Sequence, residues 1–173
     1  YPTAELFING KSYGKQSKNN SSLKSRYRLM WMDAVYEPGE VKVVAYNKDG
    51  KAVAEKTVRT AGKPHHIELV SNRNELTADG KDLTYVTVKV VDKDGNLCPT
   101  DSRLIHFSVK GAGKFRAVAN GDPTNLEQFH LPKMHAFHGM LTAIVQAGEI
   151  AGDLVLTAKA SGVKTGTVHL QAK

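Results

Sequence analysis

Histidines and carboxylates are the side chains of this sequence best equipped for chemistry. There are seven histidines, and the densest group is His130, His135 and His138. Zinc sites need three or four ligands converging on one point. If the chain is extended from His135 to Gln146, the odd separation of His135 and His138 sends their side chains to opposite faces. His65 and His66 are adjacent and diverge in the same way. These spacings point to ordinary surface histidines and imply no metal. Asp92-Lys93-Asp94-Gly95-Asn96 has the opening of a calcium loop. The twelfth position of such a loop needs a bidentate Glu, and here it is Arg103. A hairpin turn accounts for the same residues.

Glycosidic chemistry needs two carboxyl groups about 5–9 Å apart across a sugar. The eight glutamates are Glu5, Glu37, Glu40, Glu55, Glu68, Glu75, Glu127 and Glu149. Most flank strands or turns, and nothing in their spacing brings a pair together. No Gly-x-Ser-x-Gly elbow and no phosphate loop occurs. The single cysteine, Cys98, stands at the end of a valine-rich stretch and reads as a small hydrophobe. One cysteine excludes an intramolecular disulfide and leaves the redox compartment unmarked. The chain is therefore expected to be non-catalytic and to use no cofactor.

Binding a sugar without cleaving it asks less, only aromatic rings presented to sugar faces. Tyr27, Trp31 and Tyr36 are the candidates, with Tyr46 and Tyr85 behind them. Trp31 alternates with Leu29 along an expected strand 27–31, so both share a face. A single tryptophan so placed packs into a core more often than it serves as a sugar platform. The longest irregular stretch, Asn120 to Met134, is the other candidate site. Loops of this length in compact domains are functional or interfacial. Asn120, Asp122 and Phe129 are its candidate interface residues, facing a neighbouring domain; a ligand loop is the alternative.

The elements that must position these residues are strands. The 173 residues are 40% hydrophobic, enough to bury a core. Helical periodicity is weak and period-2 alternation is strong. Val86, Val88 and Val90 alternate with Thr87 and Lys89; Ile105, Phe107 and Val109 alternate with His106 and Ser108. Leu141, Ala143 and Val145 follow the same rule, as do Leu154, Leu156 and Ala158. Val168 and Leu170 flank His169. Each pattern describes a strand with one buried and one wet face. Asn9-Gly10, Asp49-Gly50 and Asp94-Gly95 supply hairpin turns between such runs. Asp79-Gly80, Gly111-Ala112-Gly113, Asn120-Gly121 and Ser161-Gly162 supply further breaks.

Val43 to Lys51 resembles Val90 to Asn96, each an apolar strand followed by Lys-Asp-Gly. This weak repeat implies two units. The boundary falls at Ala61-Gly62-Lys63-Pro64, giving domains 1–62 and 63–173. The first offers strands at 4–8, 11–14, 27–31, 40–46 and 52–59, fewer than a seven-stranded sandwich needs. Its earlier strands are expected upstream of Tyr1, where the abrupt start reads as a cut inside a longer protein. The fold class is all-β, two immunoglobulin-like β-sandwiches with the first incomplete.

The formal charge is +7. Basic residues are scattered, save for the acid-free run from Asn9 to Met32, which reads as a solvated loop with flanking strands. No nucleic acid partner is implied. No apolar run approaches the roughly 18 residues that span a bilayer.

Glu5-Leu6-Phe7-Ile8-Asn9-Gly10-Lys11-Ser12-Tyr13-Gly14 resembles a hairpin in family 2 glycoside hydrolases, notably the β-galactosidases of gut Bacteroidetes. It belongs there to an immunoglobulin-like domain that follows the catalytic barrel. The similarity continues through Tyr27 to Trp31, Tyr36 to Tyr46 and Lys56 to Pro64. Leu76 to Leu83, Val88 to Asn96 and Val118 to Thr124 resemble the next such domain. The resemblance implies a C-terminal accessory role, bracing or bordering an upstream (β/α)₈ barrel that carries the two catalytic glutamates. It also implies a periplasmic or extracellular location. The partners it implies are that barrel, on the same polypeptide, and carbohydrate. A carbohydrate-binding module and an adhesin-type repeat are the alternatives.

Overall fold

The computed structural model describes residues Tyr1–Lys173 as two compact units, Tyr1–Thr60 and Ala61–Lys173. The first contains strands β1 (Thr3–Ile8) and β2 (Lys11–Ser17), a single-turn helix α1 (Leu23–Tyr27), and strands β3 (Glu40–Tyr46) and β4 (Ala52–Arg59). The four strands form one antiparallel sheet in the order β2-β1-β3-β4. Alternation in β1 buries Ala4, Leu6 and Ile8, which stand opposite Ala45, Val43 and Val41 of β3. The other face is mixed, with Phe7, Val44 and Tyr46 standing among its polar residues. There Glu5 accepts hydrogen bonds from the Ser12 hydroxyl at 2.7 Å and the Tyr46 hydroxyl at 2.9 Å. Those bonds, Ser12 first, hold the Glu5 carboxyl below its usual range. The Lys15 ammonium lies 4.1 Å from the centre of the Tyr46 ring.

The β1–β2 turn is the expected Asn-Gly turn. Asn9 has φ 49° and Gly10 φ 82°, the positive pair that a type I′ turn requires. Asn9 also ties the turn to the start of β3. Its side-chain oxygen accepts from the Glu40 amide at 2.8 Å, and its amide nitrogen donates to the Pro38 carbonyl at 3.2 Å. Gly39 is required there: at φ 138° it leaves no room for a Cβ, which would stand 1.9 Å from Asn9 Oδ1.

The expected strand 27–31 is not a strand. Tyr27 ends α1, and Arg28 to Pro38 join no sheet. Local capping competes with pairing, although β2 and β4 each keep a free edge. Ser22 caps a helix instead: its hydroxyl accepts from the Ser25 amide while the Ser25 hydroxyl accepts from the Ser22 amide. The alternation of Tyr27, Leu29 and Trp31 therefore meets no partner strand.

The second unit is a sandwich. Its strands are β5 (His66–Ser71), β6 (Glu75–Leu76), β7 (Leu83–Val91), β8 (Leu104–Gly111), β9 (Gly113–Ala119), β10 (Lys133–His135), β11 (Met140–Ala147), β12 (Gly152–Lys159) and β13 (Gly166–Ala172). One sheet runs β5-β7-β11-β9 and the other β10-β8-β12-β13-β6. All pairings are antiparallel except β13 with β6. The inward residues are those the alternation marks. Val86, Val88 and Val90, Ala143 and Val145, and Leu154, Leu156 and Ala158 have no exposed surface. They belong to one cluster with Ile105, Phe107, Leu141 and Leu170. Phe107 of one sheet stacks on Phe115 of the other with ring centres 5.9 Å apart.

Asp92 is the one acidic residue buried as a whole, at 2% exposure. Its oxygens accept from the backbone amides of Gly62, Asp94 and Asn96 at 2.8–2.9 Å and from the Asn96 carboxamide at 3.0 Å. The residues with a calcium-loop opening thus form a turn around a carboxylate already saturated by protein donors. The Gly62 amide and then the Asn96 carboxamide pull the Asp92 carboxyl far below its ordinary range, against the opposing effect of desolvation. A depressed folded-state pKa stabilises the fold above the unfolded value of about 3.9, and that stabilisation drains as pH falls below it. Asp92→Asn is expected to lower the thermal midpoint at pH 7, and its gap from the parent chain is expected to narrow on acidification to pH 2, as read by circular dichroism. Leu156→Ala, which opens a void in the sealed core, is expected to cost about 2–5 kcal/mol in urea denaturation.

Candidate functional site

The loop between β9 and β10 is built from its polar residues inward and its apolar residues outward. The Asn120 oxygen accepts from the Asp122 amide at 3.1 Å, and its Nδ2 donates to the His135 carbonyl at 2.9 Å. Asp122 Oδ1 accepts from the Thr124 amide at 2.9 Å and the Thr124 hydroxyl at 2.8 Å. Asn125 Oδ1 accepts from the Glu127 amide at 2.8 Å. These are Asx-type turns that spare the loop any regular element. Glu127 ties the loop to β10, accepting from the His135 amide at 3.1 Å, with the His135 ring 3.1 Å from its other oxygen. Burial pushes the Glu127 carboxyl up, but the His135 amide and ring and the Asn125 amide together hold it below the usual range. The polar frame leaves Leu126 at 96% exposure and Phe129 at 56%, with Leu131 also exposed.

Of the three interface candidates, only Phe129 points outward. Asn120 and Asp122 brace the loop. Leu126 and Leu131, the other outward apolar residues, carry a signal that goes unread in the sequence: leucine inside a stretch of turn residues, with no period to bury it. The irregular stretch is also shorter than expected. Lys133-Met134-His135 pairs with β8 as an edge strand, with Met134 fully buried.

The aromatic candidates sit on the connector between β2 and β3. Tyr27 ends α1 and is exposed. Trp31 is half-buried, and its indole N–H donates to the Gly14 carbonyl at 2.9 Å. Tyr36 is 72% exposed, and its hydroxyl lies 3.1 Å from the Thr60 hydroxyl. Leu23, Met30, Met32 and Val35 on the same connector are exposed as well. Apolar residues exposed together on one connector are candidates for an interaction surface.

Several carboxylates and imidazoles elsewhere are engaged in structure. Arg59 donates to Glu40 at 2.6 Å, Arg103 clamps Asp101 at 2.6 Å, and Arg73 pairs with Asp82. His65 and His66 do not diverge as an extended pair would: their Nδ1 atoms are 3.0 Å apart, because β5 begins only at His66. His135 and His138 do not share a strand either. His138 has φ 51° in the turn that separates β10 from β11. No group of three histidine, cysteine or acidic side chains is placed to hold a metal ion. Cys98 is buried, and desolvation raises its thiol pKa. An open cleft of about 470 Å³ in the second unit is lined by residues that include Gly111, Ala112, Gly113, Lys114, Gly148 and Glu149.

Residues 67–169 match the family model described as glycoside hydrolase family 2 C-terminal domain 5. The chain belongs to this family. Residues 1–54 match a second model, a domain of unknown function (DUF4982). A β-galactosidase of Bacteroides ovatus is 43% identical over 169 residues, 98% of this chain and 19% of its own length. A β-galactosidase of Thermoanaerobacter pseudethanolicus is 32% identical over 165 residues, 90% of this chain and 20% of its own. The crystal structure of a glycosyl hydrolase family 2 member from Bacteroides cellulosilyticus superimposes with a TM-score of 0.83 at 32% identity. It covers 99% of this chain and 22% of that one. The chain thus spans about a fifth of the relatives it matches. Within this family 2 domain, the β9–β10 loop depends on Glu127. Glu127→Ala is expected to speed hydrogen exchange at the His135 and Val118 amides while leaving β12 and β13 protected, as measured by mass spectrometry.

Proposed function

We propose that this chain is a non-catalytic accessory region of a β-galactosidase-like glycoside hydrolase, docked against the rest of that enzyme through its exposed apolar loops. One observation carries the reading: 43% identity along 98% of the chain to a β-galactosidase of which it makes up 19%. The acid–base inventory supports it. A glycosidase acid is kept protonated by a raised pKa. Here Glu5, Asp79, Asp82, Asp92, Asp101, Asp122 and Glu127 are all shifted down by the hydrogen bonds they accept. Leu126, Phe129 and Leu131 on one loop, and Leu23, Met32 and Val35 on the β2–β3 connector, are the surfaces that support docking. Exposed Tyr27 and Tyr36 support a second reading, a sugar platform on that connector.

The purified chain is expected to release no chromophore from nitrophenyl galactosides; measurable turnover overturns the accessory reading. Leu126→Ser with Phe129→Ser is expected to change the stability of the chain alone by less than about 0.5 kcal/mol. The same pair in the full polypeptide is expected to lower its thermal midpoint. Neutral-glycan binding that disappears in Tyr27→Ala with Tyr36→Ala decides for the second reading.

A further inference from the structure

The outer face of the sheet β10-β8-β12-β13-β6 has an order that neither the core nor the loops explain. Register places Lys133, His106 and Lys159 side by side on three neighbouring strands. The next outward row is Ser108, Thr157 and Thr167. The row beyond it is Lys110, Val155 and His169. All three lysines and both histidines are exposed, and none of the lysines takes part in an ion pair. Acidic groups stand only at the margins. Glu127 is held by His135 beside β10, while Asp153 and the Lys173-paired Glu75 lie past the last row.

Neighbouring strands are about 4.8 Å apart and same-face residues about 6.7 Å apart, so the two cationic rows are separated by about 13 Å. A single small anion does not bridge that distance. A chain carrying anionic groups at intervals does, with the hydroxyl row donating between them. Protein interface cores are depleted in lysine and serine and enriched in aromatic residues, the reverse of this face. Sites for single-stranded nucleic acid add large aromatic rings for base stacking, and no Phe, Tyr or Trp lies in these rows. The face also lacks arginine, whose planar fork matches a carboxylate. Ammonium, imidazole and hydroxyl donors set at separate angles suit an oxyanion whose oxygens point in several directions.

We propose that this face is a docking surface for a sulfated polysaccharide, with Lys110, Lys133 and Lys159 as its principal charges. The assignment is independent of the accessory role and holds for any parent enzyme. The test uses the full 173-residue chain, with dextran sulfate, unsulfated dextran, polygalacturonate and a single-stranded oligonucleotide as probes. Calorimetry at about 0.1 M salt, where charges beyond about 10 Å are screened, is expected to show binding to dextran sulfate and none to dextran. The triple variant Lys110→Glu, Lys133→Glu, Lys159→Glu is expected to weaken binding at least about tenfold with its thermal midpoint kept. Reversing Lys11, Lys24 and Lys48 of the first unit is the control for net charge, and is expected to change affinity less than about twofold. Absence of binding, an equal loss in the control, or equal affinity for polygalacturonate or the oligonucleotide overturns the proposal.

Discussion

The second unit depends on one constraint: each strand must put alternate side chains into a core closed by a sheet on either side. The two sheets bring Val86, Val88 and Val90 against Leu154, Leu156 and Ala158 with no surface left to water. Period-2 geometry then determines the opposite face of every strand. His106, Ser108 and Lys110 point outward because Ile105 and Phe107 point inward. Register thus decides which positions face outward but not that lysine and histidine fill them, and a one-residue slip would put lysine in the core.

Polar side chains do a different job at the ends of the strands. Asp92 gathers the amides of its own turn and of Gly62, so the entry of the chain into the sandwich is held by a saturated carboxylate. Asn9 does the equivalent for the first unit by joining its turn to Pro38 and Glu40. Asn120, Asp122 and Glu127 brace the longest loop from within. Each is a short acceptor among backbone donors, and burying an unpaired amide is what each one avoids. Where the polar residues face inward to satisfy backbone, the apolar ones are left outside. That inversion gives Leu126 and Phe129 their exposure. It links the folding of the loop to the docking role proposed for it.

Most of the sheet structure is legible in the sequence. The alternating runs at Val86, Ile105, Leu141 and Leu154 become β7, β8, β11 and β12, and Asn9-Gly10 adopts the expected positive φ pair. The stretch 27–31 fails because Ser22 and Ser25 cap a helix that runs through Tyr27, and alternation by itself does not outcompete that local structure. Met134 fails the other way. Lys133 to His135 has too few residues to show a period, yet the open edge of β8 recruits it. The candidate site divides similarly. Phe129 is legible as an aromatic in a loop, whereas the inward turn of Asn120 and Asp122 follows from which amides happen to lie near.

By itself the sequence determined the β character, the turns and the inward face of each long strand, which follow from local rules, a two-residue period and the φ angles that Asn and Gly tolerate. Its resemblance to family 2 glycoside hydrolases lies in the particular residues of stretches such as Glu5 to Gly14. Tertiary structure alone decided which strands are neighbours, and hence that Lys133, His106 and Lys159 form one row although His106 and Lys159 are 53 positions apart. It also decided that Trp31 rests half-buried with its N–H on Gly14. Both depend on contacts between residues far apart in the chain, and no local pattern of residue types encodes those contacts.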